Sequence, residues 1–419
     1  MDTRELKGME IAATTKLRRT AEAWIVPSQT GDGSSYRVVK TGWVGEYARA
    51  DRPDGYMCSC PDFELRQQSC KHIFAVEITT RREITDEGEV VTQTVNVTYS
   101  QEWSAYNAAQ CSEKDRFMPM LADLCGSIPN PPQGKGRPRL PRSDMAFNCV
   151  SRIYSGLSAR RADSDVRDAE SKGLTDSDPH FNSVLRYLRD PEMTPVLKNL
   201  VELSALPLKG VETDFAVDAT GFSTSRFERW YDHKWGQVKS KREWKKLHAM
   251  TGVRTNIVTA VEVTSSRVND TRCFKPLVST TAEDFLMDEV SADKAYLSKS
   301  NQNHVEKFGG TPYIPYKANT VAFLPAPPLP GIEAPAWERL FHQFAYQKDT
   351  FLAHYHKRSN VETTFSMIKA KFGDSLRSKS EVGQINEVLC KVIAHNLCVL
   401  IACIHEIGLD TPEFAGCSA

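Results

Sequence analysis

The sequence predicts an α/β protein built from three successive parts. Between residues 211 and 407, short hydrophobic runs of strand length alternate with amphipathic helical patterns, the mark of a sheet covered by helices. Residues 24–80 predict a small β/α module, and residues 143–206 read as a helical region. A chain of 419 residues has room for these parts, and 40% hydrophobic with 25% charged residues is an ordinary globular composition.

Lys plus Arg and Asp plus Glu both total 53, so no global field draws the chain toward nucleic acid. Local basic runs are present. Arg226 to Lys246 holds eight Lys/Arg against three Asp/Glu, and Lys348 to Lys379 holds seven against three. Both flank acids considered below, which favours a nucleic-acid track. Met1 to Arg19 is polar and charged, without a secretory pattern. The most apolar stretch, Val388 to Ile404, is interrupted by Lys391 and His395 and is too short for a bilayer. Eleven cysteines in such a chain predict thiols in a reducing cytosol, some on metal, rather than a disulfide framework. The expected location is cytoplasmic, with no membrane partner.

Residues 1–23 read as a short polar helix or arm. Trp24 to Val44 is strand-like, with Trp24, Val26, Tyr36, Val38 and Val39 about a turn at Gly31-Asp32-Gly33. Cys58-Ser59-Cys60 follows, and after nine more residues Cys70-Lys71-His72, with Ile73, Phe74 and Val76 predicting a helix behind it. Three thiolates and an imidazole are what tetrahedral Zn²⁺ takes in a closed structural site. Cys58, Cys60, Cys70 and His72, with Pro61-Asp62-Phe63-Glu64 between them, resemble the SWIM zinc finger. That resemblance implies a zinc-bound recognition module for DNA or protein, with no open metal position for catalysis.

Val90 to Tyr99 alternates as a strand and Trp103 to Leu124 is helical. Pro129 to Arg142 breaks the pattern with five prolines and four basic residues, a linker composition. Its Gly136-Arg137-Pro138-Arg139 core resembles the AT-hook, which implies Arg137 and Arg139 in an A·T minor groove. Ser143, as N-cap, opens a helical pair broken at Gly156 and stopped at Gly173, and helices follow at His180–Arg189 and Met193–Leu206. Arg152, Arg160, Arg161 and Arg167 offer this region a phosphate-facing side, consistent with a DNA-binding helix-turn-helix or with scaffolding helices.

Thr213 to Thr220 is a short hydrophobic run enclosing Asp218, and a carboxylate in a buried strand is costly unless paired or metal-bound. Asp214 lies at that strand's edge. Trp244–Met250 and Arg254–Val263 predict the next strands with Gly252 at their turn, then a helix at Thr280–Met287 and a strand at Glu289–Tyr296 containing Asp293. Asp288, Asp284 and Asp270 are neighbouring alternatives. A helix to Phe308, a strand near Tyr313–Tyr316 and a proline-rich loop through Pro330 come next. Helical patterns then run over Ala336–Gln347, Phe351–Phe372 and Val382–Ile407.

Tyr355, Arg358, Glu362 and Lys369 are separated by two, three and six residues. On one helix they fall within a wedge of about 60°, beside an apolar stripe of Val361, Phe365, Ile368 and Phe372. Taken alone, a carboxylate between two cations at helical spacing is a solvated ladder worth about 0.2 to 0.5 kcal/mol per pair. The spacing Tyr-x2-Arg-x3-Glu-x6-Lys nevertheless resembles the Tyr-Arg-Glu-Lys signature of bacterial and archaeal insertion-sequence DDE transposases. Asp218, before Thr220-Gly221, and Asp293, in Asp-Lys-x-Tyr, resemble that family's first two acids.

The resemblance implies a ribonuclease-H-like α/β core that cuts and joins transposon-end DNA, with Asp218, Asp293 and Glu362 as catalytic acids. Mg²⁺ or Mn²⁺ would be held by these three, Asp218 bridging two ions. Arg358 and Lys369 would hold phosphates, and Tyr355 would add a hydroxyl or a stacking face. Partners would be transposon ends and target DNA, with a homo-oligomer to bring two ends together and a nucleoid-associated location. Only 68 residues separate Asp293 from Glu362, leaving no room for the large β-rich insertion some members carry. Two other readings stand beside this one: a domesticated, catalytically silent DNA-binding protein, and a metal-dependent nuclease without strand transfer.

Overall fold

The computed structural model describes residues 3–15, 17–20, 23–28, 35–40, 55–66, 68–85, 88–93, 103–133, 135–136, 138–224, 244–318, 320 and 336–414. The turn expected at Gly31-Asp32-Gly33, Arg137, and most of the basic run from Arg226 to Lys246 lie outside the described residues. The chain forms two compact units, Met1–Glu102 and Trp103–Ala419.

In the first unit, α1 (Thr3–Thr14) precedes an antiparallel sheet of β1 (Arg18–Arg19), β2 (Trp24–Pro27), β3 (Ser35–Lys40) and β4 (Tyr56–Cys58), in that order. The register sets Trp24 opposite Val38 and Val26 opposite Tyr36. Alternation thereby sends Trp24, Val26 and Val38 to one face, where they meet Ile11, Ile73 and Val76. Helices α2 (Pro61–Arg66) and α3 (Lys71–Thr79) complete this core, and β5 (Thr80–Thr85) pairs with β6 (Gly88–Gln93). Gly8 lets α1 approach α3 closely, since a Cβ there would lie 2.5 Å from the Phe74 Cβ.

The second unit opens with five helices: α4 (Trp103–Gly126), α5 (Arg142–Ser155), α6 (Asp163–Ser171), α7 (Phe181–Leu188) and α8 (Met193–Ala205). Three antiparallel strands follow, β7 (Asp214–Ser223), β8 (Trp244–Gly252) and β9 (Val258–Ser265). After α9 (Thr271–Asp284), β10 (Glu289–Ala292) returns parallel to β7. After α10 (Lys299–Lys307), β11 (Thr311–Tyr313) pairs parallel with β10. The sheet order is β11-β10-β7-β8-β9, which leaves β7 central and its Phe215, Ala216 and Val217 fully buried.

Four more helices close the unit: α11 (Ala336–Tyr346), α12 (Lys348–Tyr355), α13 (Ser359–Phe372) and α14 (Glu381–Glu406). The 26-residue α14 is longer than the apolar stretch predicted, and by length and hydropathy it would suit a membrane. Here 78% of its most apolar window is buried inside the protein, so it serves as a core helix against α4, α5, α8 and β9. Helices α4, α5, α7 and α8 share one hydrophobic core with α14 and the sheet.

Several boundaries differ from the sequence reading. The helix expected at Thr280–Met287 is α9, and it begins at Thr271 because Cys273, Phe274, Leu277, Val278 and Thr281 form its buried stripe. The turn expected at Gly252 lies beyond it. Glu212 holds residues 253–257 by accepting from Arg254 N (3.1 Å), Thr255 N (2.5 Å) and Thr255 Oγ1 (2.6 Å). Helix α5 starts at Arg142, with Pro141 rather than Ser143 in the cap position. Arg152 is buried, not phosphate-facing.

Candidate active site

The helix expected over Phe351–Phe372 is two α-helices joined through a short 3₁₀ turn. Between α12 and α13, His356–Arg358 form this turn with right-handed helical backbone on either side, and Arg358 still meets Glu362 four residues on. Two consecutive side chains of this turn reach acids of the sheet. Lys357 bonds Asp214 Oδ2 (2.6 Å) and Glu289 Oε2 (2.7 Å). Arg358 bonds Asp218 Oδ2 (2.6 Å) and Glu362 Oε1 (2.5 Å).

Strand register brings the two aspartates together. Val217 of β7 pairs with Ala292 of the parallel β10. The residue after each member of this pair is an acid, so Asp218 and Asp293 come at the same end of the two strands, close enough for the Asp293 charge to act on Asp218. Asp293 lies just past β10 and caps the following 3₁₀ turn by accepting from Lys294 N at 2.7 Å. Glu362 is in the first turn of α13, over half exposed, and Arg358 ties it to Asp218. Asp218 is only 22% exposed.

Burial raises the Asp218 carboxyl above the usual carboxylate range. The neighbouring Asp293 and Glu362 charges push it further, against the Ala219 N–H and the Arg358 guanidinium. Lys369 Nζ donates to Thr220 Oγ1 at 2.6 Å, two residues beyond Asp218 on β7, and burial lowers its pKa. Its ammonium sits 5.6 Å from the Phe222 ring centroid. The Tyr355 ring lies 6.0 Å from the Arg358 guanidinium.

The alternative acids are otherwise engaged. Asp214 and Glu289 pair in register at the far ends of β7 and β10, where Lys357 joins them. Burial works against the Lys357 charge, but the bonds to both acids outweigh it and its pKa is raised. Asp270 binds Lys246 at 2.8 Å and Asp284 lies 3.7 Å from Lys209. Asp288 is exposed at the start of β10.

Two structural residues were not foreseen as part of this region. Lys357 has no pattern of its own beside Arg358. Lys391, a lone cation in the apolar run of α14, carried a signal: it is buried and donates to Gly373 O (2.8 Å) and Ser375 O (3.0 Å). These bonds secure the chain just after α13, and burial lowers the Lys391 pKa to about 8.

In the first unit, the ligand atoms of Cys58, Cys60, Cys70 and His72 lie within 4.8 Å of one another, all buried. His72 Nδ1 is 3.8 Å from both Cys58 Sγ and Cys70 Sγ. A tetrahedron with zinc–ligand bonds of about 2.0 to 2.3 Å has edges of roughly 3.5 to 3.8 Å, and the two His72–cysteine separations match it, so this donor set could hold zinc. The Cys58–Cys70 hydrogen bond pulls the Cys70 thiol down and pushes Cys58 up.

A family model for the transposase DDE domain matches residues 209–397. The match covers a little under half of the chain, from just before β7 into α14, and includes Asp218, Asp293, Arg358, Glu362 and Lys369. It supports a transposase function and, with it, DNA as a partner. No curated protein and no solved structure matches the chain.

Proposed function

We propose that this chain is a DDE transposase that cleaves transposon-end DNA and joins it to a target, with Asp218, Asp293 and Glu362 as the catalytic acids. The observation that carries the reading is the register of Val217 with Ala292, which aligns Asp218 with Asp293, together with the Arg358 fork from Asp218 to Glu362. A three-strand antiparallel meander extended by two parallel strands suits a ribonuclease-H-like core over residues 211–407.

The donor set is carboxylate oxygen, which suits a hard divalent ion; burial first, and then the Asp293 and Glu362 charges, raise the Asp218 carboxyl, and a bound cation would favour its ionised form. Mg²⁺ or Mn²⁺ held by the three acids would activate a water or 3′-hydroxyl and stabilise the leaving oxygen of an in-line displacement. The chain's own cations do the rest. Arg358 orients two of the acids and neutralises part of their charge. Lys369, anchored at Thr220, presents an ammonium to a phosphate on the same sheet edge, and Tyr355 offers a hydroxyl or ring face beside it.

Residues 24–80 form a SWIM-type zinc finger on Cys58, Cys60, Cys70 and His72, residues 129–142 a linker, and residues 143–206 a helical DNA-binding region. A homo-oligomer brings two ends together. The test is Mg²⁺-dependent cleavage and joining on the element's own flanking DNA, wild type against Glu362→Gln. Products from the wild type alone bear the proposal out, and specific binding without cleavage by either protein overturns it.

A further inference from the structure

We infer that the groove between residues 131–142 and α7 is a second, sequence-independent seat for the sugar-phosphate backbone of duplex DNA, held by Arg139, Arg186 and Arg189. This rests on the reading that the chain acts on DNA, and it concerns a surface apart from the acids. The groove has a volume of about 770 Å³ and is lined by four arginines against two acids. Arg142 is committed to Glu192, and Asp190 accepts from Glu192 N at 2.9 Å. The other three arginines are exposed, with no acidic partner among the described residues. Guanidiniums spread along an open groove suit a running phosphate backbone better than one enclosed anion.

The wall that carries Arg139 is joined to α7 by one bond and folded on itself by two. Tyr187 Oη donates to Leu140 O at 3.3 Å, Arg139 N to Gln133 Oε1 at 3.2 Å, and Arg142 N to Asn130 Oδ1 at 2.8 Å. Arg139 thereby lines the same groove as Arg186 and Arg189. The seat is also coupled to the catalytic sheet. Asn386 of α14 donates to Leu188 O (3.0 Å) and Asp190 O (3.2 Å), and one turn earlier Glu381 binds Lys245 of β8 at 2.6 Å. Lys245 pairs with Phe222, four positions beyond Asp218 on β7, about 13 Å along the strand. The acids and the groove thus belong to one compact unit, Trp103–Ala419.

The experiment uses the full chain and a fluorescent random-sequence duplex, with affinity measured across a salt series. Each lost phosphate contact lowers the slope of log K against log salt by about 0.9. R139Q/R186Q/R189Q is expected to lower the slope by roughly 2 to 3 and to weaken binding about tenfold or more. Arg139→Gln alone, on an exposed segment, is expected to lower the slope by about 1. An unchanged slope in a folded variant overturns the seat. Duplex RNA bound more tightly than DNA, through the same arginines, overturns DNA as its occupant. Arginine-dependent binding in a protein that never cleaves leaves the seat standing while the transposase reading fails.

Discussion

Arg358 donates to Asp218 Oδ2 at 2.6 Å although the two residues are 140 positions apart, and its second nitrogen reaches Glu362. One planar fork therefore orients two acids at once. Lysine carries the charge without the fork. Arg358→Lys should lower Mg²⁺-dependent cleavage roughly 10- to 100-fold, equivalent to about 1.5 to 3 kcal/mol for one charge-assisted hydrogen bond. End binding, measured by gel shift, should change little.

Asp214 and Asp218 share β7 but differ in company. Asp218→Asn and Asp293→Asn should each abolish strand cleavage with end binding kept. Asp214→Asn weakens only the Lys357 bridge to Glu289 and should cost about 1 kcal/mol of stability in urea unfolding. Loss of cleavage in Asp214→Asn, with a folded protein, would reverse the assignment.

Cys70→Ser removes one of four clustered ligands. Metal analysis should find about one equivalent of zinc in the wild type and little in the variant, because three ligands hold zinc poorly at a closed structural site. Limited proteolysis should then open residues 24–80 while the unit from Trp103 onward stays resistant.

His395 sets an acid limit on stability. Burial lowers its pKa to about 4, Lys371 adds to the effect, and the bond from Nε2 to Asn256 O (2.9 Å) opposes it. The folded protein therefore binds fewer protons than the unfolded chain between pH 4 and about 6.5. This contribution is complete above pH 6.5 and is lost as the pH falls toward 4, about 3 kcal/mol in all. Urea midpoints across that range should fall with pH, and His395→Gln should flatten the fall.

Gly252 is required by its neighbour. A Cβ there would lie 2.3 Å from Glu212 Cδ, and Glu212 is buried while capping the β8–β9 turn. Gly252→Ala should destabilise the protein by roughly 1 to 3 kcal/mol, read as a lower urea midpoint.

Much of this molecule was legible from local pattern. Period-two alternation placed Trp24, Val26 and Val38 on one face, and the paired Cys-x-Cys and Cys-x-His spacings singled out the residues that cluster in the first unit. The hydrophobic run around Asp218 marked a buried strand, and the sheet order made it the central one. Helices α7, α8, α11 and α14 fell within a few residues of their expected bounds. Arg137 and the Arg226–Lys246 run lie outside the described residues.

Local pattern failed where distant groups decide the backbone. A helical wheel places Arg358 beside Glu362 but says nothing of the carboxylates on β7 and β10 that Lys357 and Arg358 reach. The turn after β8 follows Glu212, and the depth of α14 follows the helices packed on it. The sequence by itself determined which residue types stand at which spacing, and hence the strands, the thiol cluster and the candidate acids. Only the tertiary structure decided that Asp218 adjoins Asp293 and shares Arg358 with Glu362, because strand register and long-range ion pairs depend on chain folding over more than a hundred residues.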